Sequence, residues 1–185
     1  MRVFVGISVP DAIRVKIQAA WDACEDRPTD FRATAPQNWH CTLAFLGKVN
    51  DAHIPILEHL LEKAAERPPR GSFCIRDFDT FPHKKPAYLI ARVIPEPADT
   101  WMAFTDRLRD LISVALPGID RKPWIPHIAI GRARKGHPLP AWKRTFEPID
   151  WTPHEISLVR SELTKDGSIY TDIRVFPLTP RESRR

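Results

Sequence analysis

Two histidines stand at the head of apolar, β-prone runs, Asn38-Trp39-His40-Cys41-Thr42-Leu43-Ala44-Phe45-Leu46-Gly47 and Pro126-His127-Ile128-Ala129-Ile130-Gly131-Arg132. A strand alternates its faces, so His40 shares one face with Thr42 and Ala44, while Trp39, Cys41, Leu43 and Phe45 point the other way. In the second run His127, Ala129 and Gly131 fall together, opposite Ile128 and Ile130. Each run needs a core behind it and an open face in front. Two such strands in one chain point to a pair of acid/base groups facing a common cleft.

The rest of the chain supplies the layers for such a core. Val3, Val5, Ile7 and Val9 alternate along a first strand, which is expected here rather than a signal peptide because no small-residue cleavage site follows it. Ile13, Ile17, Ala20, Trp21 and Cys24 fall at helical spacing after Pro10-Asp11. A polar loop from Asp26 to Gln37 leads into the His40 strand. A second helix is expected from about Asp51, with Pro55 tolerated in its first turn. Arg67-Pro68-Pro69-Arg70-Gly71 ends it. Strands follow at Ser72 to Phe81 and Ala87 to Ile94, then a helix at Ala98 to Ala115 carrying Trp101, Phe104, Leu108, Leu111 and Ile112 on one side. After the His127 strand comes a proline-rich connection, then a hairpin of Glu155 to Leu163 and Ser168 to Phe176 around Lys165-Asp166-Gly167. The order of elements suggests two related halves. No linker divides the chain, so residues 1–178 are expected to form a single bilobal domain, with 179–185 as a basic C-terminal tail.

Bulk properties exclude little. At 185 residues with 43% hydrophobic and 28% charged residues, the chain can bury a substantial core. Three cysteines without CxxC spacing offer neither a disulfide set nor a zinc framework, so a reduced, cytoplasmic setting is expected. The net charge of +5 favours an anionic partner. Its basic clusters are His83-Lys84-Lys85, Arg121-Lys122 and Arg132-Ala133-Arg134-Lys135. Any one of these taken alone is more simply a solvated loop.

Imidazole has an unperturbed pKa near 6.5, so small shifts let one histidine act as base and the other as acid at neutral pH. That suits in-line displacement at phosphorus, with Thr42 donating to a non-bridging oxygen and Arg132 neutralising developing charge. A lone strand histidine is more often structural than catalytic; the parallel contexts of His40 and His127 are what favour the pair. His53, His59, His83, His137 and His154 have no comparable setting and are expected at the surface. His40 and His127 lack partners at metal-ligand spacing, so no metal is expected. Cys41 belongs to the core face, which disfavours it as a nucleophile.

With these residues in view, the chain resembles the two-histidine phosphoesterases, and among them the RNA 2',3'-cyclic phosphodiesterases also known as 2'-5' RNA ligases. Asn38 to Gly47 meets the family's first motif, His-x-Thr-hydrophobic-x-Phe-Leu-Gly. Phe81-Pro82 before a basic turn and Arg160-Ser161-Glu162-Leu163 entering the last hairpin are similar too. The resemblance implies an α+β, bilobal fold in which two antiparallel sheets with flanking helices enclose a central cleft. It implies hydrolysis of RNA 2',3'-cyclic phosphate termini to a 2'-phosphomonoester, with His40 as proton donor, His127 as proton acceptor, and Thr42 and Arg132 on the phosphate. Reversal, with a ribose hydroxyl in place of water, would join RNA ends. No cofactor is implied, the partner is RNA with a 2',3'-cyclic phosphate end, and a monomer away from membranes is expected. The second motif departs from the pattern, since Ala129 stands where the family has threonine or serine. Alternatives are a weakly active or non-catalytic RNA-end binder, or a phosphodiesterase of small cyclic nucleotides or ADP-ribose cyclic phosphate. Arg132 lies five residues past His127, an odd offset that reaches the histidine's face only if the strand twists, bulges or ends.

Overall fold

The computed structural model describes residues 1–120, 122–165 and 167–178. Arg121, the turn residue Asp166 and the basic tail 179–185 lie outside the described residues. In chain order the elements are β1 (Arg2–Ser8), α1 (Asp11–Asp22), β2 (Arg32–Ala33), β3 (His40–Lys48), α2 (Ile54–Ala65), β4 (Ser72–Phe81), β5 (Tyr88–Glu96), α3 (Ala98–Ala115), β6 (His127–Arg132), β7 (Lys143–Trp151), β8 (Glu155–Thr164) and β9 (Gly167–Pro177).

The strands run in the order β7-β4-β5-β6-β3-β1-β8-β9, with the short β2 added beside β6. Every pairing is antiparallel. The two expected sheets are the two halves, β7-β4-β5-β6 and β3-β1-β8-β9, of one nine-stranded sheet joined through β6 and β3. Each half puts its histidine strand at the midline, and among the described residues the halves share one registered pair, Cys41 with Ile128. β5 supports the His127 strand as β1 supports the His40 strand, which is the two-half relation the order of elements suggests.

Alternation along the strands sends one set of side chains into the core. Val3, Val5, Ile7, Cys41, Leu43, Ile75, Phe78, Leu89, Ala91, Val93, Ile128 and Ile130 are buried in one cluster with the apolar stripes of the helices. Trp21 of α1 meets Phe78 and Phe31 edge-on, at ring separations of 5.3 and 5.8 Å. Trp101 of α3 packs on Phe73 at 4.5 Å, and Phe73 meets Trp151 at 5.4 Å. Burying one large apolar side chain stabilises by about 1.5–3 kcal/mol, so these contacts hold the helices to one side of the sheet. The opposite side carries the histidines.

Two strands are not foreseen from the sequence, the two-residue β2 inside the loop expected from Asp26 to Gln37 and a longer one at the sheet edge. The proline-rich connection contains β7, which pairs with β4 at the sheet edge. Only Ile149 and Trp151 of its nine residues are buried, and the ladder shifts register near Pro148. An exposed edge strand carries mostly polar side chains and tolerates proline, so it lacks the alternation that marks a strand in sequence.

Candidate active site

The midline pair sets the geometry of the site. With Cys41 opposite Ile128, antiparallel register places Thr42 beside His127 and Ala129 beside His40. The two histidines are then diagonal neighbours, about 7–8 Å apart at their α-carbons. Cys41 and Ile128 are fully buried beneath them, as the alternation requires.

Both strands depart from simple alternation at the same place. Along β1, Ser8, Gly6 and Phe4 face His40, Thr42 and Phe45, so Leu43 is skipped. Along β5, Arg92, Ile90 and Tyr88 face His127, Ala129 and Arg132, and the skipped residue is Ile130. An extra residue of this kind reverses the phase of everything beyond it. Phe45, expected in the core, therefore lies on the histidine face and is 62% exposed. Gly131, expected on that face, turns inward against the Phe31 ring, where even a Cβ would come within 2.3 Å of ring carbon. Arg132 is thereby brought onto the face of His127, its guanidinium 5.4 Å from the Tyr88 ring centroid.

The irregularities persist because their carbonyls find donors elsewhere. Leu43 O accepts from Arg109 Nε of α3 at 2.9 Å, and Thr42 O from Trp124 Nε1 at 2.8 Å. Ile130 O accepts from Thr34 N at 2.8 Å. These three carbonyls are thus re-bonded, which removes the main cost of burying them.

The histidines are anchored alike. His40 Nδ1 lies 2.7 Å from Asn38 O, and His127 Nδ1 lies 2.8 Å from Ile125 O, in each case the carbonyl two residues earlier. A carbonyl can only accept, so each Nδ1 carries the proton and Nε2 is left free to exchange one.

Their surroundings differ. Phe4 stacks on His40 at 4.6 Å, and Tyr170 meets the edges of both rings, 5.0 Å from His40 and 5.3 Å from Phe4. Burial lowers the pKa of His40, the Asn38 carbonyl works against this, and a charged His127 adds to the lowering. His127 has Phe81 at 6.5 Å and Arg92 across the ladder. The Cys41 thiol is pushed up to about 12 by burial, so it stays protonated and does not serve as a nucleophile.

Of the basic residues singled out in the sequence, Arg134 pairs with Asp30 at 3.0 Å at the surface, while Lys84 and Lys85 stand exposed on the turn between β4 and β5. Phe4, Tyr170 and Arg92 were not singled out. Phe4 alone had a local signal, since it alternates with the core residues Val3 and Val5.

The chain as a whole matches known proteins. The family model of the 2'-5' RNA ligase superfamily covers residues 9–165. The chain belongs to the 2'-5' RNA ligase superfamily. It is 30% identical over 176 residues to the RNA 2',3'-cyclic phosphodiesterase of Thermotoga maritima, covering 92% of this chain and 91% of the relative. It is also 30% identical over 193 residues to that of Thermus thermophilus, covering 100% and 93%. The crystal structure of TT0787 of Thermus thermophilus superposes with a TM-score of 0.81 at 26% identity, over 98% of this chain and 100% of that one. E. coli LigT in its apo form gives 0.69 at 25%, over 96% and 97%. The superfamily's α+β fold is thus the fold of this chain. Among the described residues no helix is long and apolar enough to cross a membrane.

Proposed function

We propose that this protein hydrolyses the 2',3'-cyclic phosphate at the end of an RNA to a 2'-phosphomonoester, with residues 1–178 acting as one bilobal unit. What carries the reading is the pair of imidazoles on one sheet face, each with Nδ1 tied to a carbonyl and Nε2 free. The names of the Thermotoga and Thermus relatives support the same substrate.

His127 takes a proton from water, and the oxygen attacks phosphorus. The bond from phosphorus to the 3' oxygen breaks, and His40 gives that oxygen its proton. Thr42 and Arg132 hold the non-bridging oxygens while charge accumulates on them. Burial favours neutral His40 before substrate binds. The anionic phosphate supplies the opposing attraction, so the donor becomes protonated as substrate binds. With a ribose hydroxyl in place of water, the reverse reaction would form a 2'-5' bond.

His40→Ala and His127→Ala are each expected to lower kcat by about 10²–10⁴, the range for general acid or base catalysis. Hydrolysis of a dinucleotide 2',3'-cyclic phosphate, with circular dichroism to verify folding, measures it. Folded variants that both keep near-normal kcat would refute the assignment.

A further inference from the structure

We propose that the His127 half holds a second phosphate of the substrate, one nucleoside away from the reacting one, at Arg92, Lys143 and His83. The proposal rests on the hydrolase reading above and specifies its substrate as one with a phosphate on the 5' side of the terminal nucleoside. Arg92 lies directly across the β5–β6 ladder from His127. Two carboxylates from β4 hold its guanidinium, Asp79 on Nη2 at 2.5 Å and Asp77 facing Nε at 3.3 Å. Their side chains are only 4% and 7% exposed, whereas that of Arg92 is 40% exposed. Lys143 reaches Asp77 from β7 at 3.8 Å, and His83 lies 3.8 Å from Asp79. The acids are thus covered, and the cluster presents guanidinium, ammonium and imidazole to the cleft.

Burying two carboxylates to fix one arginine is a weak means of stabilising a fold, because desolvation offsets much of the attraction. It is an effective means of fixing a cation. Two hollows meet at Arg92 and His83. One, of about 330 Å³, runs beside the segment leading into His127 and is lined by Phe81, Ile90, Ile94, Trp124 and Pro126. The other, of about 350 Å³, holds Trp142 and Lys143. An apolar slot next to the catalytic face, lined at one end by the Arg92 guanidinium and the His83 imidazole, fits a nucleoside followed by a phosphate. Arg92 starts one strand spacing, about 4.8 Å, from His127 and leans toward β4, where Asp77 and Asp79 hold its guanidinium away from the reacting centre.

The test compares three substrates, a nucleoside 2',3'-cyclic phosphate, its 5'-phosphorylated form, and a dinucleotide ending in the same cyclic phosphate. The last two are expected to exceed the first at least tenfold in kcat/KM. Arg92→Gln and Lys143→Gln are expected to bring that ratio towards one. Lys143 sits on an exposed edge strand, so its variant keeps the test alive if Arg92→Gln does not fold. Gain from the dinucleotide alone would assign the subsite to an internucleotide diester, and gain from both to phosphate as such. A ratio near one in the unmodified protein, or one that neither variant changes, would overturn the proposal. If no substrate is opened, the hydrolase reading fails separately. Calorimetry of a nucleoside 2'-phosphate against the 2',5'-bisphosphate then decides the subsite, equal affinity ruling it out.

Discussion

The two histidines share a strand context and a backbone anchor, yet one sits in an aromatic box and the other beside a charged network. His40 is packed by Phe4 and Tyr170, with Ser8 and Gly6 on the neighbouring strand. His127 has Arg92 and Ile90 at the equivalent places, backed by Asp77 and Asp79. Similar backbones therefore set where protons are exchanged, while the flanking strands set what surrounds each imidazole. The half with the complete His-x-Thr motif has the apolar surroundings. The half that lacks the second hydroxyl has the fixed cation.

The sharpest way to break this comparison is to exchange the motif residues. Thr42→Ala removes a hydrogen bond to a charged phosphate, which is worth about 1.5–3 kcal/mol and predicts a loss of roughly 10- to 150-fold in kcat/KM. Ala129→Thr adds a hydroxyl beside His40 and is expected to raise kcat/KM. An unchanged or lower value on a dinucleotide cyclic phosphate would mean that the Arg132 side already supplies that contact. A smaller effect is expected from Phe4→Leu. It removes a stacking contact worth about 0.5–1.5 kcal/mol and lets water nearer the ring, so the His40 pKa should rise toward its ordinary value. An NMR titration of the imidazole measures this, and an unmoved pKa would show that Phe4 is not what desolvates it.

The smallest effect is on stability. The folded-state pKa of His40 lies below its ordinary value of 6.5, so the unfolded chain binds more protons as pH falls through that window. Stability should therefore decline from about pH 6.5 down to the folded-state pKa, and His40→Asn should flatten that part of the profile. Urea unfolding at several pH values reads the slope. Equal slopes in the two proteins would place the titration elsewhere.

Much of this site was legible in sequence because its signals are local. His40, Thr42 and His127 follow from period-two alternation, and α3 from helical spacing. What was not legible depends on partners far along the chain. Phe45 and Arg132 reach the cleft only because Leu43 and Ile130 slip out of register, and those slips are held by Arg109 and Thr34. Arg92 gains its meaning from Asp77 and Asp79 on another strand. β7 escaped notice because an exposed edge has little apolar pattern to display. The carbonyls of Asn38 and Ile125 belong to the backbone and leave no trace in residue identity.

The single rung between Cys41 and Ile128 has an evolutionary consequence. Where two sheets share a long ladder, a new side chain or a shifted register on one side must be accommodated by the other. Here a side chain away from that rung can change in one half without a ladder partner in the other half to refit, while the bonds from Arg109 to Leu43 O and from Thr34 to Ile130 O keep the two registers tied. A substitution at a position paired only within its own half, such as Arg92 on β5, is the kind of change this joint tolerates. It offers a route to new substrates in which the proton-transfer pair stays in place.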